Sequence, residues 1–194
     1  MNRNLISGLA IGVFVGFLAG YFIAANRSND DAPAAPAAPP AAAAPAMPPG
    51  PNPMELQQRI ATNKQVVAAD PRNLQAWIAL GNDYFDLHQA KDSVDAYAKA
   101  LELDPGNTNV LTDQGVMYRE LRQFDRAVAD FQKAVKLDPG HLQSLFNLGI
   151  VYAQDLNKPA EAIKAFTKVT ELAPASPQAA QARQMIAGLK QAKP

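Results

Sequence analysis

The chain has 194 residues, of which 48% are hydrophobic and 19% are charged, which is enough for one folded domain with attached segments. Eighteen Lys and Arg residues balance eighteen Asp and Glu residues, so there is no excess positive charge for the phosphates of a nucleic acid, and we expect no nucleic-acid partner. The sequence contains no cysteine, which excludes disulfides, thiolate metal sites and a cysteine nucleophile.

An uncharged apolar segment follows the short N-terminal flank of residues 1–4. Residues 5–25 read LISGLAIGVFVGFLAGYFIAA, and as a helix rising about 1.5 Å per residue they would span about 31 Å, the thickness of a bilayer's hydrocarbon core. A cleaved signal peptide is the alternative, but its apolar stretch is normally about 7–15 residues long and ends at an Ala-x-Ala-like site. The segment is longer and ends in Ile23-Ala24-Ala25. We therefore predict a retained transmembrane helix.

The charges beside this segment favour an N-terminus on the inner side of the membrane. The α-amino group and Arg3 precede it, whereas Arg27 behind it is soon followed by Asp30 and Asp31. In a bacterium, this single-pass topology predicts that the remainder of the chain lies in the periplasm. A cytoplasmic-facing domain on an organelle anchor is the alternative.

Glycines recur at every fourth position of the predicted membrane helix, at Gly8, Gly12, Gly16 and Gly20. This spacing places them on one face, where small residues allow a second helix to approach closely. The stripe predicts homodimerisation or docking to another membrane protein, although glycine is also common in membrane helices in general.

The segment from residue 26 to 53 is a linker. From Ala32 onward it is almost entirely alanine and proline, which offer no amphipathic face and repeatedly remove backbone donors. In the polyproline II conformation, these residues would reach about 70 Å, at about 3.1 Å per residue. We expect a spacer that holds the C-terminal region away from the membrane.

Beyond the linker, the chain repeats itself every 34 residues. The period is shared by three glycines and three tyrosines: Gly81, Gly115, Gly149, Tyr84, Tyr118 and Tyr152. Asp-Pro pairs recur with the same period at Asp70-Pro71, Asp104-Pro105 and Asp138-Pro139. Pro174 arrives one residue late, and we expect the extra residue in the turn at 155–159.

These fixed points resemble the tetratricopeptide repeat family, whose W-x-x-L-G-x-x-Y pattern is matched by Trp77, Leu80, Gly81 and Tyr84. The two following units resemble the same pattern through Leu111, Gly115, Tyr118, Phe131, Leu145, Gly149, Tyr152 and Phe166. The resemblance implies an all-α solenoid of three helix pairs, at residues 74–107, 108–141 and 142–175.

The residues also indicate helix pairs without the family. Apolar residues recur at helical spacing in residues 76–87 and again in 93–103, with a polar turn between them. Glycine inside a helix costs about 1 kcal/mol, so its recurrence predicts close approach of the second helix, near Ala100 and Ala134. We expect capping helices at 54–73 and 176–194, the latter opened by Ser176 as cap.

No catalytic, cofactor or metal constellation is visible in the sequence. There is no histidine pair at metal-ligand spacing, no glycine-rich phosphate loop and no nucleophile elbow. We interpret His88 and His141 as solvent-exposed turn residues and Trp77 as part of the core. An enzyme is therefore not expected, and neither is a cofactor.

A stacked helical array offers a groove lined by the first helix of each unit. Helical spacing and the family resemblance assign to this groove Ile78, Asn82, Phe85, Asp86, Asn109, Thr112, Val116, Arg119, Gln143, Phe146 and Ile150. Chaperone-binding members of the family grip a peptide's terminal carboxylate with lysines, an arginine and asparagines. Asn82 matches such a position and Asn147 is a second match, but Ile78, Asp113 and Gln143 do not match, which makes this type of recognition doubtful.

The leading hypothesis is a membrane-tethered scaffold whose groove binds a peptide segment of a partner protein, with assembly of a cell-envelope complex as a narrower version. Packing between helices is the competing interpretation of Phe85 and Phe146. A structural tether or self-assembling scaffold without a peptide groove is the first alternative. The second is an enzyme subunit with hidden chemistry at Asp83, Asp86 and Asp113.

Overall fold

The computed structural model describes residues 52–191, and within them all regular structure is helical. The eight α-helices are α1 (Pro53–Ala69), α2 (Leu74–Asp86), α3 (Ala90–Leu103), α4 (Thr108–Glu120), α5 (Phe124–Leu137), α6 (Leu142–Ile150), α7 (Pro159–Leu172) and α8 (Pro177–Gln191). A π-helical segment, Val151–Asp155, directly continues α6. The predicted transmembrane helix, its glycine stripe at 8, 12, 16 and 20, and nearly all of the linker lie outside the described residues.

The first helix of each unit begins at a side chain that caps it. The side-chain oxygens of Asn73 and Asn107 accept hydrogen bonds from backbone N–H groups three residues on, at 3.0 and 3.2 Å. His141 takes the same place before α6, where its Nδ1 accepts from the N–H of Ser144 at 3.3 Å. His141 is therefore not the exposed turn residue that we predicted. A side-chain cap satisfies a backbone donor that has no partner within the helix.

The helices form antiparallel pairs that stack into a curved array. Contacts between successive units join α2 to α4, α4 to α6 and α6 to α8. Within residues 52–191, there are no comparable contacts among α3, α5 and α7. The closer spacing places the first helices on the inner, concave side. The all-α repeat solenoid that we predicted is thus confirmed, with α1 packed on α2 and α8 packed on α7.

Each repeat glycine lies against an aromatic ring of the following helix. A Cβ atom on Gly115 would lie 2.6 Å from Cε1 of Phe131, and one on Gly149 equally close to Phe166. Gly81 faces Tyr97 in the same way. We predicted close approach near the small residues Ala100 and Ala134. The structure corrects this, because the missing side chain makes room for a large ring.

The extra residue of the third unit lies inside a helix. In the first two units, the N–H of Gln89 bonds to the carbonyl of Tyr84 and that of Gln123 to Tyr118, five residues back. In the third unit, the N–H of Lys158 reaches the carbonyl of Tyr152, six residues back, at 2.7 Å. The insertion is thus absorbed mainly by the π-helical turn at Val151–Asp155, ahead of the loop in which we expected it.

One position on the first helices differs between the units. Met117 and Val151 are apolar and buried between neighbouring units, whereas the equivalent Asp83 is a fully buried carboxylate. Asp83 forms an ion pair with Arg59 of α1. The contact between α1 and the first repeat therefore includes a buried charge pair where the later units have aliphatic side chains.

Within residues 52–191, none of the helices has both the length and the hydrophobicity needed to cross a bilayer.

Candidate functional site

The predicted groove residues differ widely in accessibility. Asn82, Asp86, Asn109 and Gln143 are exposed. Six others are partly buried: Ile78, Phe85, Val116, Arg119, Phe146 and Ile150. All of them project from the first helices α2, α4 and α6, which form the concave side. Most of the predicted set is therefore accessible to a partner at least in part.

Thr112 is the exception. Its side chain is only 1% exposed, and its Oγ1 lies 2.5 Å from Oγ of Ser144 and 2.7 Å from the carbonyl oxygen of Thr108. These bonds connect α4 to α6 inside the array. We predicted that Thr112 lines the groove, but its place is in the packing between the second and third units.

The N-terminal part of the groove is a depression between α2 and α4. Asn82, Phe85, Asp86, Tyr97 and Asp113 line a volume of about 280 Å³. The Tyr97 hydroxyl donates to Oδ1 of Asn82 at 2.8 Å and holds this amide in place. Burial raises the pKa of Asp113 to about 6. Two carboxylates, those of Asp86 and Asp113, thus face one depression with an aromatic floor.

A second depression lies between α4 and the π-helical turn. It has a volume of about 450 Å³ and is lined by Val116, Arg119, Glu120, Arg122, Phe124, Gln154 and Asp155. Nε of Arg119 donates to Oδ2 of Asp155 at 2.5 Å, and its Nη2 donates to Oε1 of Gln154 at 3.0 Å. The positive charge of Arg119 is therefore compensated within the protein. The π-helical turn supplies both of its partners.

The C-terminal part of the groove is apolar and largely used for packing. Phe146 stands edge-on to the buried ring of Phe166, with 5.5 Å between the ring centroids. Ile150 packs against the same core cluster. Side chains of α8 join this cluster: Met185, Ile186 and Leu189. Phe146 and Ile150 therefore contribute to the core as well as to the surface.

A chain of polar groups near α6 has the order serine, histidine, amide. Oγ of Ser144 lies 2.8 Å from Nδ1 of His141, and Nε2 of His141 lies 3.0 Å from Oδ1 of Asn109. Nucleophilic hydrolysis needs a serine that a substrate can reach. Ser144 is 0% exposed and also bonded to Thr112, so this chain connects the second and third units and does not present a nucleophile.

The three carboxylates that we considered for hidden chemistry do not form one site. Asp86 and Asp113 share the depression between α2 and α4. Asp83 does not line this depression; it is fully buried and pairs with Arg59 of α1. Among the described residues, no three His, Cys, Asp or Glu side chains are grouped as a metal site requires.

Sequence reasoning missed two features of the groove. Asp155 was treated only as part of a turn, because the π-helical segment that turns it towards Arg119 depends on one inserted residue. The second is Tyr97, which we did not predict to line the groove. The aromatic character of this position was the available signal, since a ring that fills the space beside Gly81 also reaches the depression.

Comparison with known proteins agrees with this architecture. Two family profiles, both described as tetratricopeptide repeat, match residues 74–107 and 112–180. No curated protein is a significant match in sequence.

Among solved structures, a crystal structure of MamA is similar, with a TM-score of 0.67 and 23% identity over 71% of this chain and 78% of that one. The TPR2B domain of yeast Sti1, in a complex with pHsp70, has a TM-score of 0.58 and 18% identity, over 62% of this chain and 98% of the domain. The first TPR of Spaghetti (RPAP3), bound to the HSP90 peptide SRMEEVD, has a TM-score of 0.54 and 25% identity, over 70% and 93%. With both profiles covering all three units, the chain belongs to the tetratricopeptide repeat family.

Proposed function

We propose that this protein is an interaction scaffold whose concave groove binds a peptide segment of a partner protein. The observation that carries the proposal is the accessible row of side chains on α2 and α4. There, exposed Asn82 lies beside the partly buried Phe85. Apolar contacts flanked by exposed amides suit an extended peptide, because the amides can bond to its backbone while its side chains fill the pockets.

The comparisons support this proposal at the level of the fold. Two of the similar structures are complexes, one of Sti1 with pHsp70 and one of RPAP3 with an HSP90 peptide. The same helical framework thus holds peptide or protein partners elsewhere. Function belongs to the particular site and not to the fold, so the groove residues of this chain have to be tested themselves.

Membrane attachment is the second part of the proposal. The uncharged segment at 5–25 would anchor the protein, the Ala/Pro linker would give it reach, and the flanking charges favour a periplasmic repeat domain. In this arrangement, the groove would collect a partner close to the membrane during assembly of an envelope complex. Resistance of the full chain to extraction from membranes at alkaline pH is expected, and release into the supernatant would disprove the anchor.

The glycine stripe of the predicted membrane helix would allow two copies of this helix to associate within the membrane. Replacing Gly12 and Gly16 by leucine should abolish crosslinking between copies of the full chain, since the side chains would separate the helices. Unchanged crosslinking would remove this part of the proposal. Docking to a different membrane protein would instead change the crosslinked partner and leave no self-adduct.

Photo-crosslinking tests the groove. A photo-reactive residue is placed at Asn82 or Gln143, both exposed on first helices, and at Lys136, exposed on the outer helix α5, as the matched control. We expect a discrete adduct from positions 82 and 143 and none from 136. Adducts of equal pattern at all three positions, or self-adducts alone, would contradict the groove and favour a tether or self-assembling scaffold.

A further inference from the structure

We infer that the groove selects a cationic peptide segment, with a lysine or arginine of the partner placed between Asp86 and Asp113 in the depression between α2 and α4. This inference rests on the proposed function and specifies the chemistry of the partner.

The excess of negative charge in the groove comes from the depression between α2 and α4. This depression is lined by the carboxylates of Asp86 and Asp113 and, among the described residues, by no basic side chain. In the second depression, the positive charges of Arg119 and Arg122 balance the negative charges of Asp155 and Glu120, and Glu120 also lies 3.6 Å from Nδ1 of His88. The groove therefore presents an excess of negative charge to its partner, although the whole chain is neutral.

The two carboxylates of this depression have no cationic partner within the described residues. Asp113 is partly buried and Asp86 is exposed, and neither has a hydrogen bond or an ion pair with another described side chain. Burial is the cause that raises the pKa of Asp113, and no neighbouring cation offsets it. A partly desolvated carboxylate without a cation is costly, and a cation from the partner would supply the missing interaction.

The remaining side chains of the depression suit the backbone and the aliphatic stem of such a residue. The Oδ1 atom of Asn82 is occupied by the Tyr97 hydroxyl, so its amide N–H groups remain to donate to a peptide carbonyl. Phe85 and Tyr97 form an aromatic wall. Long cationic side chains pack their methylenes on such surfaces while the charged end reaches a carboxylate.

The inferred preference is opposite to that of a groove that grips a terminal carboxylate. The peptide bound by RPAP3, SRMEEVD, ends in three acidic residues within its last four positions. At the clamp positions considered above, this chain has Ile78, Asp113 and Gln143, and none of these three side chains is a cation. An acidic peptide would therefore meet negative charge without a compensating lysine or arginine, and we expect this groove to reject it.

A random peptide library displayed on phage provides the test, with the full chain as target. Peptides are kept if they bind the parent but not Asn82→Trp, which fills the depression at an exposed position; circular dichroism verifies that the variant is folded. We expect the retained peptides to be enriched in lysine and arginine over aspartate and glutamate. Retained peptides are then synthesised and their affinities measured by fluorescence anisotropy.

The decisive variant is Asp86→Asn with Asp113→Asn, which removes two charges at constant shape. Its control is Glu102→Gln with Glu171→Gln, which removes two exposed charges from the outer helices α3 and α7. We expect the first pair to weaken binding about tenfold or more at low salt and the control to change it less than about twofold, since distant exposed charges are screened.

The outcomes separate this inference from the function on which it rests. If the retained peptides are acidic or uncharged, or if both double variants weaken binding equally, the inference of cationic selection is wrong and the peptide groove stands. If no peptide distinguishes the parent from Asn82→Trp, the groove itself fails, and the inference fails with it.

Discussion

The ion pair between Asp83 and Arg59 offers a direct test of how α1 is held on the first repeat. The Asp83 side chain is 0% exposed, while that of Arg59 is 49% exposed. Burial raises the pKa of Asp83 despite the opposing effect of Arg59. The cost of burying the carboxylate thus exceeds the favourable contribution of its partner, as is common for buried ion pairs.

The two members of the pair should therefore respond differently to removal. Arg59→Gln leaves a buried charge without its cation, which costs about 3–5 kcal/mol in fully buried pairs. Because Arg59 is half exposed, we expect a loss of about 2 kcal/mol in the free energy of unfolding. Asp83→Val introduces the residue that occupies the equivalent position 151. The side chain of Arg59, which then lacks its carboxylate, can turn to solvent. We expect this variant to be equally stable or about 1 kcal/mol more stable than the parent.

Urea denaturation of fragment 52–194, followed by circular dichroism at neutral pH, measures both changes. Hydrogen exchange of α1 amides locates them, since a terminal helix can open without the rest of the array. The double variant should match Asp83→Val, because the arginine matters only while the carboxylate is present. Arg72→Gln, at an exposed arginine before α2, is the control and should have no effect.

A loss of about 2 kcal/mol or more in Asp83→Val would refute this reasoning. It would mean that the ion pair stabilises the contact more than an aliphatic side chain can. Equal losses in the two single variants, with no recovery in the double variant, would lead to the same conclusion.

The remaining predictions concern packing, capping and pH. Gly115→Ala should lower the free energy of unfolding by about 1–3 kcal/mol, because its Cβ would lie 2.6 Å from the ring of Phe131. Gly188→Ala, whose Cβ would have no atom of a neighbouring element within 4 Å, should raise the free energy of unfolding by up to about 1 kcal/mol. Equal effects of the two variants in thermal unfolding would contradict this. His141→Ala removes the helix cap and the bond to Asn109 and should cost about 1–2 kcal/mol. His141→Asn should cost about 1 kcal/mol less than His141→Ala, because asparagine caps the two preceding units at the equivalent positions but does not replace the bond to Asn109. Urea titration measures both losses, and equal losses would argue against a capping role. Burial raises the pKa of Asp130 to about 6 from an ordinary value of 3.8, so the folded protein binds this proton more tightly than the unfolded one, and stability falls as pH rises through that window. Asp130→Asn should therefore reduce the loss of stability between pH 4 and pH 7.5 by about 1–2 kcal/mol, and an unchanged pH profile would show that the carboxylate is solvated.

The repeat period was sufficient to predict the architecture. Glycines at 81, 115 and 149 and the Asp-Pro junctions mark units of one length, and apolar residues at helical spacing define two helices in each. These are local properties of the chain, because caps, prolines and amphipathic faces act within a few residues. The cap at Ser176 and the helix from Pro177 to Gln191 were predictable for the same reason.

The groove could be predicted only in part. Helical spacing correctly placed Asn82, Asp86 and Gln143 on an exposed face. It did not reveal that Thr112 is buried against Ser144, because spacing describes one helix and not the neighbour that covers it. A phase difference of one residue is enough to exchange a groove position for a packing position.

By itself, the sequence determined the repeat period and the all-helical repeat fold. The tertiary structure decided that the glycines accommodate rings, that the inserted residue forms a π-helical turn holding Arg119, and that Asp86 and Asp113 meet in one depression while Asp83 faces α1. The physical reason is that helix formation depends on neighbours along the chain, whereas these contacts depend on how side chains of different helices fill a shared volume.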